Sequence, residues 1–378
     1  MKHLGRILSL ARFGAFAAIA AGITACTYTR TEAAGPAKPV SIAQLPATSA
    51  AFDELVRTKH LKGAYMIVRR GNETLFERQA GDLNRNSVVP IASASKWIGG
   101  AMLMSAVQGG TVALDTTAGR YFPGLPADKA SMTLGQMFSH TAGMIAIDKP
   151  FDLNLDPYQG DLQSAARQAL DQFDLVKPPG KGFGYGGTSM LVAGAILEKA
   201  TGTGWIDLFR QRITTPLGMK DSFWFSPMPA FTHVPGKTVN LPNIQAGVHT
   251  SPADYLRFLT MINDKGQAPG GPRILSESSI AAMERSRTTG LERFLVPQGV
   301  KQDWNYAVGF WCEKTLPDGR CTVISSPGAF GFYPWVNREN GTYGLFAVVD
   351  RLQNVADGIR GLRASAETEL GVSSLSPS

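Results

Sequence analysis

The chain has 378 residues, 44% of them apolar and 18% charged, which suits a sizeable folded core and argues against overall disorder. Its 3 cysteines exclude a small disulfide-built scaffold, and no charge-free apolar run approaches the ~20 residues of a membrane span. The formal charge of +7 is partly local: Lys2, Arg6 and Arg12 fall in the first 25 residues, and without them 34 bases face 30 acids. No stretch clusters Lys and Arg with interleaved aromatics, so no nucleic-acid partner is expected.

Residues 1–25 read as a lipoprotein signal peptide, with a basic front end and a short apolar stretch from Phe13 to Ala25. It closes on Ile23-Thr24-Ala25-Cys26, which resembles a bacterial lipobox with Cys26 as the lipid attachment site. A plain cleaved signal with an incidental Cys26 is the alternative. The lipobox reading predicts a periplasmic domain held to the cell envelope through that lipid alone. Thr27 is not the aspartate of the usual retention signal, which favours the outer membrane. Residues 26–50, rich in Ala, Thr and Pro without apolar periodicity, predict a flexible tether with an r.m.s. reach of about 26 Å. A single folded domain is expected over 51–372, followed by a tail at 373–378.

Within that domain Phe52, Leu55 and Val56 mark one face of a short helix. Residues 62–70 and 73–80 read as strands joined by a turn at Gly71-Asn72. Helical patterning follows over 95–109, 161–172, 187–202, 205–213, 251–264 and 276–285, with Pro- and Gly-rich loops between. Strands return at 305–313, 321–325, 330–337 and 342–350, and a helix closes the domain at about 353–370. β-structure at both ends brackets a helical middle. The expected class is therefore α+β: a central antiparallel sheet built from the N- and C-terminal segments with flanking helices, and a mostly helical lobe inserted at about 110–250.

Cys312 and Cys321 flank Pro317-Asp318-Gly319, a strong turn signal, and a disulfide across the hairpin is expected in an oxidising compartment; two buried free thiols are the alternative. Neither His-Glu-x-x-His nor Cys-x-x-Cys occurs, so no metal or other cofactor is expected.

Gly-x-Ser-x-Gly is absent, which removes the α/β-hydrolase elbow. Ser93-Ala94-Ser95-Lys96 is a Ser-x-x-Lys. On a helix, positions i and i+3 share one face. A lysine held there with a lowered pKa can take the serine proton, while a helix N-terminus favours a developing oxyanion. The tetrad is short enough to arise by chance, so its neighbourhood has to carry the assignment.

That neighbourhood resembles the serine β-lactamase and penicillin-binding-protein superfamily, nearest to its class C β-lactamase and esterase branch, from about residue 51 to 370. Besides the tetrad, MFSHTAG at 137–143 is similar to the branch's Leu-Leu-x-His-x-Ser-Gly stretch, and PGKGFGYGGTS at 179–189 to the segment with its Tyr-x-Asn. TPLGMKDS at 215–222, GVHTSPADYLRF at 247–258 and SPGAFG at 326–331 follow in the family's order. The resemblance implies a β-lactamase/transpeptidase-like fold with Ser93 as nucleophile, Lys96 as its base and Tyr185 as the phenol that relays the proton to the leaving group or acts as base when its own pKa is depressed. It implies an oxyanion hole from the Ser93 and Ala329 N–H groups, and substrate contacts at Gly187, Ser326, Gly328 and Phe330.

Two positions depart from the pattern. Gly187 stands where the family has asparagine, whose amide binds the substrate amide and steadies the lysine. Ser326-Pro327 replaces the cation and hydroxyl that help hold a substrate carboxylate. Losing one charge-assisted hydrogen bond costs roughly 1.5–3 kcal/mol. The expected activity is therefore a serine hydrolase acting through an acyl-enzyme on small esters or amides without an essential carboxylate. A β-lactamase or D-alanyl peptidase is the alternative, and a non-catalytic protein binding cell-wall fragments a further one. The aromatics Phe330, Phe332, Tyr333 and Trp335 are expected as core residues, with some of them lining an apolar acyl pocket as the alternative. A monomer is expected.

Overall fold

A computed structural model describes residues 44–144, 160–225 and 240–372. The expected signal peptide, Cys26, most of the tether and the tail lie outside the described residues. Helix Pro46–Thr58 begins inside the stretch read from composition as tether, because Leu45 and Thr48 are buried against the domain and Pro46 takes the first helical turn, where its missing N–H is harmless.

Strands β1 (Gly63–Arg70), β2 (Glu73–Gly81), β8 (Asn305–Tyr306), β9 (Trp311–Thr315), β10 (Cys321–Ser325), β11 (Tyr333–Asn337) and β12 (Thr342–Val348) form one sheet of order β2-β1-β12-β11-β10-β9-β8. Every pairing in it is antiparallel, and β1 pairs along its length with β12, so chain beginning and chain end meet in the sheet's interior. The period-2 alternation of strands assigns alternate residues to two cores. Ala64, Met66, Val68, Tyr333, Trp335, Phe346 and Val348 pack with the terminal helices Pro46–Thr58 and Leu352–Glu369. Tyr65, Ile67, Val336, Leu345 and Ala347 pack on the opposite face with helix Ser95–Gln108. Because both faces are covered, β1 and β12 read as apolar runs rather than clean alternations.

The Glu369 carboxylate accepts from the Ala47 and Thr48 N–H groups at 2.9 and 2.7 Å and from Thr48 Oγ1 at 2.6 Å. An anion at a helix N-terminus meets N–H groups that have no intrahelical partner. This contact ties the first helix to the last.

The run 305–313, expected as one strand, is two. Gly309 adopts φ +89, and Ala307 N–H donates to Phe310 O at 2.9 Å, making a tight turn between β8 and β9. The turn presses on the nucleophile helix: a Cβ at Gly309 would lie 2.3 Å from Lys96 O, and one at Gly100 would lie 2.3 Å from Val308 O. Only glycine on both sides permits that approach. The run 330–337 likewise becomes strand only at Tyr333, since residues 326–332 form a turn closed by Gly328 N–H donating to Phe332 O at 2.8 Å. The inserted helices include Leu162–Gln172 and Thr188–Thr201, and a small sheet of β3 (Val89–Pro90), β6 (Val248–Thr250) and β5 (Phe223–Trp224) sits beside the nucleophile.

Candidate active site

Ser93 sits in the single 3-10 turn Ala92–Ala94 that opens helix Ser95–Gln108. Ala92 has φ +44, a left-handed conformation that a non-glycine residue adopts at a cost of order 1–3 kcal/mol. Distant segments hold that turn in place. Ile91 N–H donates to Val248 O at 3.1 Å, and Val248 N–H donates to Ser95 Oγ at 3.0 Å. Tyr255 Oη donates to Ala94 O at 3.0 Å, and Ser326 Oγ donates to Ser93 O at 3.2 Å.

Lys96 lies one helical turn after Ser93 and is only 2% exposed. Its Nζ is 2.9 Å from Ser93 Oγ and 2.9 Å from Gln245 O. None of its hydrogen-bond partners is a carboxylate, and burial lowers its pKa to about 7. A neutral amine there accepts the Ser93 O–H while still donating to Gln245 O.

Tyr185 is buried at the end of strand β4 (Phe183–Gly184), which pairs in parallel with β7 (Arg293–Leu295). Its N–H donates to Leu295 O at 3.0 Å. The ring stacks on Trp311 at 5.4 Å between centroids with a 16° tilt, and His140 packs against it at 4.4 Å. Ser93 is the polar group that pulls on the phenol, and Lys96 Nζ lies 4.8 Å from the ring centroid. Burial pushes the phenol's pKa up despite the influence of Ser93, so Tyr185 is a neutral donor near pH 7. Of the two roles expected for Tyr185, this favours the proton relay over the ionised base, because desolvation outweighs its polar contacts. His140, with φ +58, has its pKa lowered by burial and by the nearby Lys96.

The 326–331 turn meets Ser93 backbone to backbone. A Cβ at Gly328 would lie 2.0 Å from Ile91 O, so glycine is required for the approach. Neither Ser93 N–H nor Ala329 N–H donates to a protein acceptor among the described residues. Ala329 is exposed while Ser93 is half-buried, as access to substrate requires.

Other expected substrate contacts need correction. Ser326 is buried with its hydroxyl bonded to Ser93 O, so it positions the nucleophile turn rather than facing substrate. Phe332, Tyr333 and Trp335 are fully buried core residues, in line with the expectation for them, and Phe330 alone of that group remains half-exposed. Gly187 is covered by a side chain from elsewhere, since a Cβ on it would lie 1.1 Å from Gln245 Oε1. Gln245, Trp311, His140 and Tyr255 were not found from sequence, although the similarity at 137–143 and 247–258 already marked the segments of His140 and Tyr255. Cys312 and Cys321 are joined by a disulfide with Cα atoms 5.2 Å apart, beside Trp311.

A family model described as Beta-lactamase matches residues 48–369. Penicillin-binding protein 4 of Amycolatopsis lactamdurans is 29% identical over 265 residues, covering 62% of this chain and 68% of that protein. Esterase EstB of Burkholderia gladioli is 28% identical over 213 residues, covering 49% of this chain and 53% of the esterase. Among solved structures, a D-stereospecific amidohydrolase from Streptomyces sp. superposes with a TM-score of 0.62 at 17% identity, covering 84% of this chain and 98% of that one, a likeness of fold.

Proposed function

The chain belongs to the beta-lactamase family of serine hydrolases, and on that premise we propose that it is an esterase or amidase acting through an acyl-enzyme on small substrates without an essential carboxylate. The observation that carries this reading is the 2.9 Å contact between Ser93 Oγ and a desolvated Lys96 Nζ whose pKa lies at about 7. Lys96 takes the Ser93 proton as Oγ attacks the acyl carbon. The Ser93 and Ala329 N–H groups receive the oxyanion. As the bond to the leaving group breaks, Tyr185 hands it a proton, replenished from Lys96. Water then attacks the acyl-enzyme and the same groups run in reverse.

Substrate class follows from what stands beside the nucleophile. Ser326 supplies neither a charge nor a free hydroxyl, and Pro327 supplies no N–H. A carboxylate there lacks the bonds that would offset its desolvation. Neutral esters and amides carry no such penalty. The test is stoichiometric labelling of Ser93 by a fluorophosphonate together with turnover of p-nitrophenyl butyrate; a Ser93→Ala variant that keeps full activity refutes the assignment.

A β-lactamase or D-alanyl peptidase activity is favoured by the relative named as a penicillin-binding protein, and nitrocefin turnover separates it from the first reading. A non-catalytic role would show no acyl-enzyme with any ester. The proposed substrate partner is a small neutral acyl donor, and the proposed protein is a monomer without a nucleic-acid partner. For location, the lipobox-like stretch ending at Cys26 supports anchoring to the bacterial envelope, outer membrane favoured; a free Cys26 thiol in the mature protein's mass spectrum would end that idea.

A further inference from the structure

Gly187 leaves a gap two residues beyond Tyr185, at the entry to helix Thr188–Thr201. That gap is filled by a side chain reaching in from another segment. A Cβ built on Gly187 would lie 1.1 Å from Oε1, 1.8 Å from Cδ and 2.3 Å from Nε2 of Gln245. The carboxamide therefore occupies the space that a side chain at 187 would enter. The main chain of the same residue accepts a hydrogen bond from Lys96 Nζ at 2.9 Å. One residue thus touches the catalytic amine with its backbone and covers Gly187 with its amide.

The segment carrying Gln245 is fixed. Ala246 and Gly247 N–H groups both donate to Asn243 O, at 3.2 and 2.8 Å, closing a turn around Gln245. Trp224 Nε1 donates to the same oxygen at 2.8 Å. Three residues on, Val248 joins the backbone of the Ser93 turn. Yet the carboxamide at the tip of this braced turn, half-buried, makes no hydrogen bond among the described residues. A primary amide offers two N–H donors and an accepting oxygen. Both amide atoms remain open to solvent, so their donors and acceptor are free to be taken up by a bound group.

We propose that Gln245 is the specificity-determining amide of this site, binding a secondary amide close to the scissile carbonyl on the acyl side of the substrate. This rests on the acyl-enzyme reading above and narrows it. The acyl portion is the part that stays on Ser93, next to Lys96 and its partner Gln245. An amide on that portion presents one N–H and one C=O, which a carboxamide satisfies as acceptor and donor. Gln245 itself brings no charge, so it favours a neutral amide over a carboxylate as its ligand.

The test compares two esters with one leaving group: p-nitrophenyl N-acetylglycinate, which carries the acyl-side amide, and p-nitrophenyl butyrate, which does not. In Gln245→Leu, which keeps the gap filled but removes the polar atoms, the ratio of kcat/KM between the amide-bearing and plain esters is expected to fall about tenfold. A purely space-filling Gln245 would change both esters alike and leave the ratio where it was, which overturns the proposal. Rescue gives a second readout. Gly187→Asn alone is expected to lose activity on both esters because of the 1.1 Å overlap. Gly187→Asn combined with Gln245→Ala returns an amide to the gap from the other segment, and is expected to restore the ratio to within about threefold; a ratio that stays at the Gln245→Leu level overturns the proposal. Fluorophosphonate labelling of Ser93 is followed in every variant. Loss of labelling in the unaltered protein would sink the acyl-enzyme reading, whereas intact labelling with an unchanged ratio sinks only the role of Gln245.

Discussion

Replacing or titrating Lys96 tests the site most directly, because its pKa is set by burial alone. An exposed lysine with a pKa of 10.5 is neutral in about one molecule in 3,000 at pH 7. With the value lowered to about 7, roughly half the amines are free bases, a gain of about 1,500-fold in the competent form. The acylation rate should therefore rise with a single limb centred near pH 7, falling about fivefold from pH 7 to pH 6 and about tenfold for each further unit. Tyr185 adds no second rising limb, since burial keeps its phenol protonated. The assay is a pre-steady-state burst of p-nitrophenol at each pH, with Ser93→Ala as the blank. Lys96→Arg holds a permanent charge and should lose more than 10³-fold.

Stability gives an independent reading of the same shift. The folded-state pKa lies below the unfolded one, so burying this group costs stability most fully below pH 7, and the cost fades as pH climbs toward 10.5. Lys96→Met should then stabilise the fold at pH 7 by on the order of 4 kcal/mol while abolishing turnover, a difference that shrinks at alkaline pH. An acylation rate flat from pH 5 to pH 9, or one centred near 10, would refute the reasoning, as would a Lys96→Met protein less stable than the parent.

Further expectations rest on other contacts. Gly328→Ala drives a methyl to 2.0 Å from Ile91 O, so acylation should drop at least tenfold with little change in melting temperature if the 326–331 turn alone gives way, which a burst assay beside calorimetry checks. Glu313→Ala takes from Arg363, 4% exposed, the carboxylate bonded to it at 2.5 Å and leaves only the more weakly acting Glu367, and urea unfolding should show a loss of about 3 kcal/mol. Cys321→Ser opens a bridge spanning 9 positions, and the chain-entropy account puts the loss at about 2–3 kcal/mol; a smaller loss under oxidising conditions would mean that the β9–β10 hairpin is already ordered when unfolded.

The parts of the site that could be read in advance share a physical character: each depends on spacing along the chain. Ser93 and Lys96 are three positions apart across a 3-10 turn and the helix it opens, and i,i+3 neighbours in such a turn share one face. The strand pair 63–81 and the closing helix 352–369 were legible because periodicity and turn residues are local. The limits of local patterning appear at 305–313, where aromatic and apolar residues suggest one strand. There the need to fit Val308 against Gly100 of the nucleophile helix breaks the run at Gly309.

Sequence order carried the fold class, the serine–lysine pair and the loss of the carboxylate-binding cation, since all of these are statements about which residues follow one another. Folding settled what distant segments do to those residues. Gln245 meets Lys96 from 149 positions away, and Ser326 meets Ser93 from 233. Burial of Lys96, which makes it a base, and the filling of the space over Gly187, which gives the site its neutral amide, are products of many packed surfaces acting at once. No window of adjacent residues contains them, because desolvation and van der Waals overlap depend on what closes around a group in three dimensions.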